Sequence, residues 1–212
     1  MQQITKHHLR QLCDLACELG ASNAKTFDAK DVVVDERVRM KCQIPMCADY
    51  GMNLMCPPNL GITIPEFSQT LSKYNIAMLL QIDCYPSQEM KQIIDNEGDL
   101  TQLYKNPEFL KYYTETITSA KKQLHDIINQ VESAAFSKGY RFSTGFIGGS
   151  CSLCERCVAA DDSNEPCRHP FKSRPSMEAM GIDVFKTAIN AGLPFEMPPK
   201  DKTVWTGLIL VE

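Results

Sequence analysis

The chain of 212 residues has one tryptophan, and no lysine or arginine block accompanies its 8% aromatic content. With a formal charge of −4 and acidic and basic residues interspersed, it lacks the basic stripe expected of a nucleic-acid-binding protein. Long apolar runs are missing too. The longest, Ile76-Ala77-Met78-Leu79-Leu80, has the length of a buried strand and falls far short of the roughly 20 residues needed to span a bilayer. The opening residues, Met1 to His8, lack the apolar core of a signal peptide, so a cytoplasmic location is expected. No Ser-His-Asp set, P-loop or dinucleotide fingerprint is present. Gly145-Phe146-Ile147-Gly148-Gly149 has the wrong glycine spacing and continues into cysteines, not a helix.

What is abundant is cysteine, with ten in all. In a reducing compartment, clustered thiols read as metal ligands or redox groups in preference to disulfides. Cys151-Ser152-Leu153-Cys154-Glu155-Arg156-Cys157 is followed, after nine intervening residues, by Cys167-Arg168-His169-Pro170. Two residues between consecutive cysteines let their sulfurs turn back toward one centre. Three such sulfurs can take three corners of an iron–sulfur cube, with Cys167 supplying the fourth. The ferredoxin run keeps its last cysteine closer and follows it directly with proline, so the agreement is incomplete. Zinc is the alternative, although its common layout is two separated Cys-x-x-Cys pairs or cysteines paired with histidines. His169 is expected to donate a hydrogen bond to sulfur instead of binding metal.

A second group, Cys42, Cys47 and Cys56, places three thiols within fifteen residues. Pro57 follows Cys56 directly, an arrangement common at cluster loops, and Tyr50-Gly51 supplies a turn. Three cysteines leave a cubane iron without a thiolate. Cys84, a histidine, a carboxylate or water could complete it. An open iron would bind a small substrate and allow Lewis-acid or inner-sphere redox chemistry. Zinc pinning the loop is the structural alternative. Cys13 and Cys17 lie one turn apart on an apolar helical stripe and are expected in the core.

Apolar periodicity predicts a first helix through Leu9, Leu12, Ala16 and Leu19, with Thr5 as N-cap and Gly20 as terminator. Strands are expected at Val32–Val38, Ile76–Asp83, Tyr140–Phe146 and Val204–Val211, and a long helix from Ile117 to Ala134 ending at Lys138-Gly139. Pro86, Asn96, Gly98 and Pro107 mark short helices and turns. Lys121-Lys122 reads as a solvated helix face, Ser176 and Asp183 as helix caps. The order predicts an α+β fold with a mixed or antiparallel sheet of about four to five strands covered by helices, both cysteine loops leaving strand ends. One domain spanning 1–212 is expected, made of an N-terminal helix and first Cys loop (1–60), a central strand and helices (61–139), and a second Cys loop and final strand (140–212).

Several blocks together carry a resemblance. They are Gly20-Ala21-Ser22-Asn23-Ala24-Lys25, Arg37-Val38-Arg39-Met40-Lys41-Cys42, Cys47-x-x-Tyr50-Gly51 leading to Cys56-Pro57-Pro58, Gly149-Ser150-Cys151, Cys167-Arg168-His169-Pro170, and Arg174 through Val184. Over nearly its whole length the chain resembles an uncharacterised family of cysteine-rich, predicted metal-binding proteins, domain of unknown function 2284. The resemblance implies seven metal-associated cysteines in two groups, with Cys84 outside the shared pattern. The function expected is an iron–sulfur protein with one or two 4Fe–4S clusters, serving a redox partner protein or acting on a small-molecule substrate. A zinc-stabilised structural or adaptor protein is the alternative.

Overall fold

The computed structural model describes residues 6–97, 100–161, 165–196 and 201–212. Its centre is a sheet of four strands in the order β1-β2-β4-β3: β1 Asn23–Asp28, β2 Ile76–Cys84, β3 Thr144–Phe146 and β4 Thr203–Leu210. Every pairing is antiparallel, with Ala77 opposite Leu210, Leu80 opposite Gly207, and Phe146 opposite Leu208. The α+β expectation therefore holds.

The apolar run at Ile76–Leu80 has a physical explanation in this order. β2 and β4 are the inner strands, and a strand covered on both faces needs apolar side chains on both. Met78, Leu80, Ile82 and Ile209 face one cluster, shared with Leu9, Leu12 and Ala16 of α1 (Lys6–Glu18) and with Leu124, Ile127, Ile128 and Val131 of α7 (Thr118–Ser137). Ala77, Leu79, Leu208 and Leu210 face the other cluster, with Phe67 and Leu71 of α3 (Ile64–Leu71), Met177, Ile182, and Ala188 of α8 (Val184–Asn190). The period of two along the strands thus divides one sheet between two helical layers. Beyond Cys84, α4 (Gln88–Glu97), α5 (Leu100–Leu103) and α6 (Pro107–Tyr112) gather around Met90, Leu103 and Phe109. A π-turn at Tyr113–Ile117 joins α6 to α7.

Glycine sets the distance between α7 and the sheet. A methyl group at Gly207 would lie 2.3 Å from Ile128 Cδ1 and 3.0 Å from the Phe146 carbonyl oxygen, and one at Gly145 would lie 2.4 Å from Ile128 Cγ2. Only hydrogen at both positions lets Ile128 descend onto the β3–β4 pair.

Several expectations need correction. Val32–Val38 is not a strand. A 3₁₀ turn at Ala29–Asp31 and a single bridge from Val34 to Ile182 lead into α2 (Glu36–Met40). Asp35 caps that helix by accepting from the Arg37 amide at 2.9 Å, and a local cap of this kind outweighs modest β propensity. The first Cys loop therefore leaves a helix, not a strand end. The real edge strand is β1, Asn23-Ala24-Lys25-Thr26-Phe27-Asp28, whose polar sequence carries little strand signal. The strand expected from Tyr140 shrinks to Thr144–Phe146, because Tyr140 buries itself in the core while Phe142 turns outward. Cys13 is half-buried and Cys17 exposed, so only part of that helical pair belongs to the core. Ser176 and Asp183 do cap, accepting from the amides of Ala179 and Lys186. Thr5 and Gly98 fall outside the described residues.

Gly207→Ala should cost about 1–3 kcal/mol, as expected when a methyl is forced into a filled core. Urea unfolding should show a lower midpoint at an unchanged m-value, and an unchanged midpoint would mean that α7 does not rest on the sheet this closely.

Candidate metal centre

The second Cys loop starts from β3 and runs beside β4. A methyl at Gly148 would lie 2.6 Å from the Thr206 carbonyl oxygen, so glycine is needed for the chain to slide along the strand before turning outward at Ser150. The loop from Cys151 to Ser173 contains little regular structure and buries few apolar side chains, Val158 being one. Polar groups hold it instead. On α7, Lys121, His125, Asn129 and Glu132 succeed one another at helical spacing on one face. The Lys121 ammonium lies 5.3 Å from the centre of the Trp205 ring, beside Gly149. His125 Nε2 donates to the Lys172 carbonyl at 2.8 Å, and Asn129 Nδ2 donates to the same oxygen at 3.0 Å. Glu132 receives Arg174 through Nη2 at 2.7 Å and Nε at 2.8 Å, and the Gly145 amide at 2.6 Å. Burial, the main cause, lowers the proton affinity of His125. The carbonyl contact requires a proton on Nε2, and burial favours the neutral ring.

This scaffold brings four expected ligands together. Cys151, Cys154, Cys157 and Cys167 line one cavity of about 310 Å³, joined there by Asp49, Asn53, Met55, His169 and Ser173. Backbone amides point at the sulfurs. His169 N donates to Cys167 Sγ at 3.4 Å, and the amides of Leu153 and Arg174 favour the thiolate of Cys151. The Cys167 thiol reaches Ser173 Oγ at 3.5 Å. Cys151 is nonetheless raised above the ordinary thiol range, first by burial and then by the charges of Cys167 and Cys154. The His169 bond to sulfur comes from its backbone amide, not from its ring.

Cys42, Cys47 and Cys56 do not line that cavity. Their loop follows α2, turns through hydrogen bonds from Cys47 N to Cys42 O at 3.0 Å and from Tyr50 N to Cys47 O at 3.0 Å, and returns through Gly51 N to Pro57 O at 2.9 Å. Gly51 takes φ of 75°, in the left-handed region that glycine enters freely. The three thiols lie within electrostatic reach of one another. Burial, followed by the charges of Asp49, Cys42, Cys47 and Cys151, pushes the Cys56 thiol up to about 12. Cys42 is raised by burial, Cys47 and Glu178, against the opposing effect of Arg39. Cys84 stands apart in the core, where burial and Asp83 push its thiol up to about 11.

The two loops touch. Asn53 Nδ2 donates to the Cys151 carbonyl at 2.8 Å while its Oδ1 accepts the Met55 amide at 2.9 Å. One buried amide thus ties the segment before Cys56 to Cys151, the first cysteine of the second group. Asn53 carried no signal in the sequence. The α7 row had one, a polar side chain every three or four residues, but such rows usually face water. Lys122 does so, whereas Lys121 is half-buried. Two arginines of this region are engaged locally: Arg174 pairs with Glu132, and Arg168 donates to the Arg156 carbonyl at 3.0 Å.

Zn–S bonds of about 2.3 Å hold tetrahedral sulfurs about 3.8 Å apart. Among the described residues, no three His, Cys, Asp or Glu side chains meet closely enough to hold a single ion. The chain belongs to the family described as predicted metal-binding protein, domain of unknown function 2284, whose model matches residues 25–211. Comparison with curated proteins and with solved structures gives no match. Among the described residues, no helix is long and apolar enough to cross a membrane.

In the metal-free chain at pH 8, iodoacetamide should label exposed Cys47 and Cys17 first and Cys56 and Cys84 at least ~10-fold more slowly, since only the thiolate reacts. A raised thiol pKa keeps the proton on until higher pH. Labelling of the two protected residues should therefore climb as pH approaches 11 for Cys84 and 12 for Cys56. Equal rates for all four by mass spectrometry would contradict the burial described.

Proposed function

We propose that this chain is an iron–sulfur protein that carries electrons through a 4Fe–4S cluster held by Cys151, Cys154, Cys157 and Cys167, with a second centre at Cys42, Cys47 and Cys56. The observation that supports this reading is that four thiols with the spacing of an iron–sulfur loop line one cavity. When bound, the cluster supplies one-electron chemistry. The chain supplies sulfur ligands and the setting that fixes their potential.

The residues have distinct parts in this. The amides of His169, Leu153 and Arg174 place positive dipole ends on Cys167 and Cys151, which stabilises added negative charge and raises the reduction potential. The Glu132–Arg174 pair holds the second amide-bearing segment in place. Asn53 keeps the two cysteine loops in contact, which favours exchange of an electron between the centres. Around the first loop, Ile44 and Met46 are exposed at 64% and 72%, beside exposed Cys47. This surface suits a redox partner or a small substrate meeting the three-cysteine centre.

Anaerobic purification after iron-replete expression tests the proposal. The expected product is brown and oxygen-sensitive, with about four to eight irons and matching acid-labile sulfide per chain. Cys167→Ser should remove about four irons while the spectrum of the other centre persists. A colourless protein with stoichiometric zinc would replace the redox reading with a structural zinc role.

A further inference from the structure

The wall of the four-thiol cavity is not built by the second loop alone. Asp49, Met52, Asn53, Leu54 and Met55 of the first loop line it as well. Their segment is folded on itself. Met52 N donates to Asp49 O at 3.1 Å, Gly51 N to Pro57 O at 2.9 Å, and Cys56 N to Asn53 O at 3.1 Å. Asn59 Nδ2 donates to Gly51 O at 3.1 Å and to Asn53 O at 3.2 Å. These bonds fix the segment's shape but not its place. Among the described residues, Leu54 and Met55 join none of the apolar clusters around the sheet.

A polar contact sets that place. Asn53 is 7% exposed, and its Nδ2 donates to the Cys151 carbonyl at 2.8 Å while its Oδ1 accepts the Met55 amide at 2.9 Å. When the segment lifts, the freed carbonyl and amide can turn to water. Opening therefore costs about as much as one net hydrogen bond and leaves the core intact. The second loop stays behind, because α7 holds it separately at Lys172 and Arg174.

We propose that residues 49–55 form a cover over the four-thiol cavity, latched by Asn53, which controls the access of metal, chelators and thiol reagents to Cys151 and Cys154. The cover stands on the geometry of the chain, and its role as guard of a cluster rests on the reading of the four thiols as cluster ligands.

Iodoacetamide labelling of the metal-free chain at pH 8, followed by mass spectrometry, tests the cover in wild type and Asn53→Asp. Aspartate has the shape of asparagine and still accepts the Met55 amide, but it sets a carboxylate oxygen against the Cys151 carbonyl. Cys151 and Cys154 should label at least ~10-fold faster in Asn53→Asp, the factor that loss of about one buried hydrogen bond produces. Cys84 in the core and Cys17 on α1 should keep their rates. The new charge by itself would slow the reaction, because it disfavours a neighbouring thiolate, so acceleration reports opening. Unchanged rates at Cys151 and Cys154 would overturn the proposal. An equal acceleration at Cys84 would do so too, since it reports unfolding of the whole chain. In wild type, Cys151 labelling should hardly respond to low urea while Cys84 labelling rises steeply, because local opening exposes little surface. Parallel slopes would overturn the cover even if the variant failed to fold. After anaerobic reconstitution, Asn53→Asp should lose iron to a chelator at least ~10-fold faster than wild type. Loss at the wild-type rate would overturn the guarding role. A wild type that takes up no iron would overturn the iron–sulfur reading instead, with labelling still deciding the cover.

Discussion

A row of four polar side chains on one helix face supports the second cysteine loop. Segment 147–175 must pass four thiols around one cavity, and it buries too little apolar surface to fix its own course. Ordering each loop residue costs about 1–2 kcal/mol in backbone entropy, so contacts from outside the loop must hold it. Helix α7 provides them at Lys121, His125, Asn129 and Glu132, in steps of four, four and three residues. The adjacent stripe of α7, with Leu124, Ile127, Ile128 and Val131, is driven onto the sheet. Hydrophobic burial fixes the helix, and the fixed helix then positions the loop. The dependence runs in that order because a directional polar contact is useful only when its donor already stands in place.

Burial of the thiols has a chemical consequence. With Cys56 near 12 and Cys42 and Cys151 also raised, the chain without a cation keeps these groups as neutral thiols at neutral pH. Each thiol's charge makes its neighbours harder to ionise. A metal reverses this balance, since its positive charge stabilises several thiolates together and releases their protons. The amides aimed at Cys151 and Cys167 serve the thiolate form, although burial opposes it in the bare chain. Donors placed for a charge that the bare chain does not carry are consistent with membership of a metal-binding family.

The parts of the fold legible in the sequence were those where one physical cause dominates. Ile76–Leu80 can avoid water only as a strand covered on both faces, and the stripe from Ile117 to Ala134 fits only a helix. The cysteine spacings pointed to Cys151, Cys154, Cys157 and Cys167 as one group, and all four line one cavity. What stayed hidden depended on partners distant in sequence. Asn23–Asp28 becomes a strand because β2 offers it a ladder, not because of its own composition. Val32–Val38 has the residues of a strand, but Asp35 caps a helix there. Lys121 and Glu132 resemble solvent-facing residues until Gly149 and Arg174 come to lie over them. Asn53 is an ordinary loop asparagine until its amide meets the Cys151 carbonyl 98 positions away.

The two cysteine loops are built differently, and on the proposed reading this separates their roles. The Cys151–Cys167 loop is held from below by α7 and gathers its thiols around a cavity. Fixed ligands change little between oxidation states, which suits fast electron transfer. The Cys42–Cys56 loop follows a five-residue helix, exposes Cys47 between Ile44 and Met52, and holds itself together chiefly through short-range backbone turns. An exposed ligand on a lightly anchored loop can give way to an incoming molecule more easily than one held by a helix. Asn53 joins this adaptable loop to the rigid one through a buried hydrogen bond. On the proposed reading, displacement at the outer centre would be felt at Cys151 through the Asn53 amide and through the cavity wall that Asp49 and Met55 share with the second loop.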